Sequence, residues 1–154
     1  MPKLDLTRIK PRVGDDYPAP FNLPCNARIG LDLSAAGGLT QFGAHLITLP
    51  PGCWSSQRHH HSAEDEIIYI ISGHPTLYEA DGPIQLSPGD VTTHPMGDGI
   101  AHHMKNESEE DVVFFVVGSR NSKTDHCRYP DIDLDLPANG TAVRSYKHKD
   151  GTPY

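Results

Sequence analysis

The stretch His59-His60-His61-Ser62-Ala63-Glu64-Asp65-Glu66-Ile67-Ile68-Tyr69-Ile70-Ile71-Ser72-Gly73 decides the fold. From Glu66 to Ser72 nearly every position is apolar or β-branched, and a glycine ends the run; such a segment is too short for a helix and reads as a strand covered on both faces. Upstream, Pro50-Pro51-Gly52 fits a type II turn, with the glycine taking positive φ. Downstream, Asp81-Gly82 marks a hairpin between residues 75–79 and 83–86, and Ser87-Pro88-Gly89-Asp90 marks another turn. Strand-like runs at residues 28–33, 39–49, 53–57, 91–94, 101–105, 111–117 and 127–134 extend the series, with a turn at 35–38. Short strands at regular spacing predict an all-β sandwich or barrel, and no helical window of ten residues interrupts them.

The composition agrees. A chain of 154 residues, 36% apolar, is the size of one domain, and 14 Gly with 14 Pro supply its many turns. The organisation expected is an extended Pro-rich arm over residues 1–27, a barrel over 28–134 and a C-terminal tail over 135–154 packed on or near the barrel. Thirteen Lys and Arg against twenty Asp and Glu leave a net charge of −7 with no basic run, which argues against nucleic acid and anionic membrane partners. The longest apolar run, residues 112–117, is far short of the ~20 residues of a membrane span. The N-terminus lacks the apolar stretch of a signal peptide, and an odd number of widely spaced cysteines (Cys25, Cys53, Cys127), with no CxxC pair and room for at most one disulfide, fits a reducing compartment, so a cytoplasmic location is expected.

The ten histidines are unevenly placed. His59 and His61 are two residues apart, so on extended backbone their imidazoles share a face, and Glu66 opens the next strand where its carboxylate can close on the same point. The order is Gly52-x6-His59-x-His61-x4-Glu66-x6-Gly73. A second framed segment, Gly89-x5-Pro95-x-Gly97-x4-His102-x3-Asn106, offers a third imidazole from a distant strand. Three imidazoles and one carboxylate suit a divalent transition metal, with positions left for water or substrate.

These two segments resemble the paired motifs of the cupin family across residues 39–117, departing in spacing by about one residue before His59 and about two before His102. The resemblance implies a double-stranded β-helix, or jelly-roll, barrel holding one divalent ion (Fe, Mn, Ni or Zn) on His59, His61, Glu66 and His102. His102 is preferred to His103 because His102-x3-Asn106 fits the family's ending. Flanking text such as Trp54-Ser55-Ser56 resembles small single-domain bacterial cupins. It further implies a mononuclear metalloenzyme acting on a small organic molecule, of dioxygenase, decarboxylase or isomerase and lyase type, with Glu66 as a catalytic residue. A non-catalytic small-molecule binder is the rival.

Parity sketches the surroundings. Gln57, Ile68, Ile70 and Met104 share faces with the ligands and are expected to line a mostly apolar pocket, while Cys53 reads as a small core residue. No Arg or Lys falls on the inward parity beside the ligands, which counts against a sugar phosphate or dicarboxylate substrate unless a loop residue supplies the charge. His60 and His103 alternate outward; His94 reads equally as a support for a ligand or as a turn residue. His45 and His74 read as structural, His126 and His148 as solvent-facing, and Glu64-Asp65 as a solvated bend. Ile67, Tyr69 and Ile71 face away from the ligands and need a cover, from the arm or from a partner subunit, so a homodimer is expected.

Overall fold

A computed structural model describes residues 3–141 and 143–154, so Met1 and Pro2 of the expected arm and Ala142 of the tail lie outside the described residues. The chain is nearly all β. In order, the strands are β1 (Arg12–Val13), β2 (Ile29–Asp32), β3 (Phe42–Leu49), β4 (His60–His61), β5 (Glu66–Ser72), β6 (Thr76–Glu79), β7 (Gly82–Gln85), β8 (Val91–His94), β9 (His103–Lys105), β10 (Val112–Ser119), β11 (Cys127–Tyr129) and β12 (Leu134–Leu136). They form a six-stranded sheet in the order β1-β2-β3-β10-β5-β8 and two three-stranded sheets, β12-β11-β4 and β7-β6-β9. Every pairing is antiparallel. The jelly-roll expectation holds.

Three local expectations change. Residues 35–37 belong to a short helix, α1 (Leu33–Gly37), rather than a plain turn: Asp32 caps it by accepting from Ala35 N at 2.8 Å, and Gly38 ends it in the left-handed region at φ 69°. Residues 53–57 form no strand; only Trp54 bridges to Lys105, because Ser55 N–H donates to the Met104 carbonyl at 2.8 Å but Met104 N–H donates back to the Ser55 hydroxyl, also at 2.8 Å, rather than to its carbonyl. Residues 127–134 are not one edge strand but two strands joined by a turn, with Tyr129 facing Leu134.

Two apolar clusters hold the molecule. Inside the barrel, Ile47, Leu49, Ile68, Ile70, Leu77, Met104, Val112 and Phe114 pack between the sheets, and Cys53 joins them. The second cluster joins segments far apart in sequence: Tyr17 and Cys25 from the arm, Cys127, Tyr129 and Leu134 from β11 and β12, and Tyr146 from the tail. Arm and tail are thus part of the core, and β1 adds a strand to the large sheet by pairing with β2, Arg12 opposite Gly30. The large aromatic rings contributed here bury more surface per residue than a short strand could with aliphatics.

The large sheet also forms the floor of the cavity. Its register sets Gly43, Gly118 and Glu66 side by side across β3, β10 and β5, and sets Asp32, His45, Val116 and Ile68 in the next row. With strands about 4.8 Å apart, Gly43 and Glu66 lie roughly 10 Å from each other. The glycine at 118 leaves that lane without a side chain between them.

Candidate metal centre

His59 lies just before β4 and is bridged to His102, each backbone N–H donating to the other's carbonyl at 3.1 and 2.9 Å. Glu66 begins β5. Nitrogen or oxygen atoms of His59, Glu66 and His102 all fall within 4.8 Å of one another, and His102 Nε2 lies 2.8 Å from Glu66 Oε2. His61 is brought beside His59, ring centroids 5.0 Å apart, in an adjoining group that also contains Cys127. The two sequence segments therefore meet at one point.

The ring nitrogens favour a cation. His59 Nδ1 lies 2.9 Å from the Gln57 carbonyl oxygen, and His61 Nδ1 lies 2.7 Å from Asp125 Oδ2. A carbonyl can only accept, so His59 must carry its hydrogen on Nδ1, and the Asp125 carboxylate calls for the same tautomer of His61. Each Nε2 then keeps a lone pair, the form in which imidazole ligates a metal. Burial, and then the charges of His102 and His61, drives His59 well below the usual histidine range and so keeps it neutral. Burial would raise the Glu66 carboxyl, but the His102 hydrogen bond and the three imidazoles outweigh it and hold Glu66 down at about 2, ionised at any ordinary pH. Imidazoles whose Nδ1 hydrogens are tied to Gln57 and Asp125, beside an ionised carboxylate, form a donor set that fits a divalent transition ion; burial would lower His61, but the Asp125 hydrogen bond and charge outweigh it and raise it, so an ion there would displace a proton.

Supports surround the set. His94, on the strand beside Glu66, lies flat against His102 with ring centroids 3.5 Å apart, so it backs a candidate ligand rather than shaping a turn. The Tyr129 ring lies tilted beside His59, ring centroids 5.9 Å apart. His103 points outward yet is buried between Trp54 and Tyr78. His126 is half-buried with Nε2 on Asp135, and His148 bonds Asp133.

A cavity of about 880 Å³ opens over these residues. Ile68 and Met104 line it, with Ser55, Phe114 and Val116. Two expected pocket residues do not. Ile70 is fully buried in the barrel core, one row below the floor. Gln57 turns its side chain to the arm, donating to the Phe21 carbonyl at 2.6 Å, because the chain leaves extended geometry before His59 and parity fails there. His45 lines the cavity instead of serving a purely structural role, and Glu64 is half-buried on its wall rather than on a solvated bend.

The positive charge that strand parity left to the loops is supplied by them, which removes the argument against an anionic substrate. Arg28, Arg120 and Arg144 all line the cavity, with Lys10 and Arg12 at its arm side. Arg28 shares parity with Gly30 and Asp32, which the alternation at 28–33 could have revealed. Arg144 and Asp125 come from segments with no periodicity, so only their folded positions disclose them.

Comparison with known proteins places these observations. A sugar phosphate isomerase of the cupin superfamily from Silicibacter pomeroyi is 37% identical over 99% of this chain and 96% of its own, with a TM-score of 0.92. The chain belongs to the cupin superfamily. A family model described as a cupin domain matches residues 45–118 of this cupin. A protein provisionally described as a sugar phosphate isomerase, from Acidithiobacillus ferrooxidans, is 31% identical over 80% of this chain and 78% of its own, with a TM-score of 0.73. A protein described as a predicted oxalate decarboxylase from Thermotoga maritima shares the fold at 21% identity, with 77% of this chain and 99% of its own covered and a TM-score of 0.62. No curated protein matches the sequence. Cupins commonly bind a divalent metal, and this one has candidate His and Glu ligand groups.

Proposed function

We propose that this cupin is a metal-dependent isomerase that interconverts the aldose and ketose forms of a small sugar phosphate. The observation that carries the reading is a pair of carboxyls beside the ligands whose proton affinities are driven apart. Asp125 and Glu64 flank His61, at 2.7 and 4.0 Å from its Nδ1. Burial would raise Asp125, but the hydrogen bonds from His61 and Ala63 N pull it below the ordinary range, so it stays an ionised support. Burial raises Glu64, and the neighbouring Asp125 charge adds to this, against the hydrogen bond from Asn121 N. Paired acids separated in this way mark a division between a fixed anion and a proton carrier.

His59, His61, Glu66 and His102 would hold a divalent ion, which would supply Lewis acidity to the bound substrate. Glu64 takes the proton from the carbon next to the carbonyl and returns it to the neighbouring carbon, while a hydroxyl proton moves between the two oxygens; no oxidant or reductant is consumed. Ile68, Met104 and Phe114 keep bulk water from the exchanging proton. The similarity to proteins described as sugar phosphate isomerases supports the substrate class.

The test is proton NMR of aldose and ketose phosphates in D2O with protein loaded with Fe, Mn, Ni or Zn. Interconversion with deuterium incorporated at the exchanging carbon is expected, and Glu64→Gln should lower it by about 10²–10⁴-fold with metal content unchanged. Substrates returned unchanged and undeuterated with all four metals would leave a binding module in place of an isomerase.

A further inference from the structure

The wall of the cavity across the floor from Glu66 has no part in that chemistry, yet it is built with care. Three arginines reach it from separate segments: Arg28 ahead of β2, Arg120 after β10 and Arg144 from the tail. His45 of β3 lies among them and lines the same cavity. Each guanidinium is held from behind. The Asp15 side chain, only 5% exposed, accepts from Arg28 Nη1 at 3.3 Å and from Arg144 Nη1 at 3.2 Å. Arg120 Nη2 donates to Ser34 Oγ at 3.1 Å, with Asp32 Oδ2 3.9 Å away.

These contacts leave most of the N–H donors unused, and Arg28 Nε is buried with no partner. A buried donor without an acceptor costs free energy unless a ligand supplies one. The charge is only partly compensated: three guanidiniums face the two carboxylates of Asp15 and Asp32, an excess of one positive charge, while nearby Asp16 is paired with Arg12 at 2.7 Å. A locally cationic wall stands out in a chain of net charge −7. Gly43 makes room for it, since a Cβ there would lie 3.3 Å from Arg120 Nε and from His45 Nε2.

We propose that Arg28, Arg120 and Arg144 form a phosphate-binding subsite that takes the phosphoryl end of the substrate. Guanidinium forks match the spacing of phosphate oxygens and bind them through paired charge-assisted hydrogen bonds. The side-chain-free lane over Gly118 spans roughly 10 Å from Gly43 to Glu66, which suits a short phosphorylated chain with its carbonyl end at the metal ligands. That last placement rests on the isomerase reading, whereas the anion site does not. Asp15 and Ser34 act as positioning residues that pin the arginines before ligand arrives.

Inorganic phosphate is the probe, titrated calorimetrically into full-length protein both chelated and metal-loaded. Arg120 and Arg144 are 43% and 46% exposed, so Arg120→Gln and Arg144→Gln should keep the fold, as circular dichroism and melting will show. Wild type is expected to bind one phosphate even with the metal removed, each variant to bind about tenfold more weakly or worse, and Arg120→Lys to recover part of the loss. A neutral sugar should respond to neither substitution. The proposal is overturned if chelated wild type binds no phosphate, or if both variants bind it as wild type does. Failure of the isomerase reading looks different: phosphate affinity stays intact and arginine-dependent, but sugar phosphates come back without deuterium.

Discussion

Nδ1 of His61 lies 2.7 Å from Oδ2 of Asp125, a residue 64 positions further along the chain. The contact does two things at once. It selects the tautomer that leaves Nε2 free, and, through the second oxygen accepting from Ala63 N at 3.0 Å, it ties the bend between β4 and β5 to the segment ahead of β11. Replacing Asp125 by Asn keeps the size but removes the charge and halves the acceptor capacity. Metal affinity, measured by chelator competition, should fall about 10–100-fold, while Ser62→Ala, in the same bend, should leave it within about twofold.

Acid should weaken the metal-free protein in a defined window. Burial first, and then the charge of His102, drives His94 down to about 4, while burial and the charge of Lys105 outweigh the Ser56 hydrogen bond and take His103 to about 4. Both side chains are under a tenth exposed. Folded pKa values below the unfolded 6.5 mean that the unfolded chain binds more protons between these limits, so their contribution is whole above pH 6.5 and lost as pH falls towards 4. The loss should be on the order of 2–3 kcal/mol for each histidine, read from urea midpoints with chelator present. His103→Phe should flatten part of that dependence; an unchanged curve would remove His103 from the account.

The lane across the floor depends on Gly118. A Cβ there meets only the Asp65 carbonyl oxygen at 3.5 Å, an ordinary contact, so the backbone tolerates a side chain. Gly118→Val should therefore fold and bind metal like wild type while filling the space between Gly43 and Glu66. Turnover of the sugar phosphate is expected to fall by about tenfold or more through KM, because blocking the lane removes productive binding of the whole substrate. A wild-type KM would show that the substrate takes another path.

The outer face of β5 calls for a partner. Ile67, Tyr69 and Ile71 are each about 45% exposed, and Val91 beside them on β8 is 54% exposed. The arm cannot cover them, since β1 adds to the opposite edge of the sheet. The homodimer expected from the sequence would bury this patch, and sedimentation should give twice the chain mass. Tyr69→Arg should shift the protein to monomer without altering metal content, as the residue points away from the ligands.

Strand parity put His59 and His61 on one face, where local backbone geometry settles the side, while the choice of Glu66 and of His102 over His103 rested on the resemblance to the cupin motifs. Parity holds likewise for the barrel core, from Ile68 to Phe114. Parity failed at Gln57, where the chain leaves extended geometry, and it could not rank Ile70 below the cavity floor, since that depends on where the opposing sheet closes.

Sequence by itself determined the all-β class, through short-range periodicity and turn chemistry, and the resemblance of its two framed segments to the cupin motifs implied the jelly-roll and the four candidate ligands. Only the tertiary structure decided what surrounds them. Asp15 meets Arg28 and Arg144, and Tyr17 meets Tyr146, through burial that joins the first and last parts of the chain. Those segments have no repeating pattern to read, because their positions are set by filling and neutralising one end of a barrel rather than by continuing a strand. The cationic wall of the cavity, and with it the case for an anionic substrate, comes from that long-range packing.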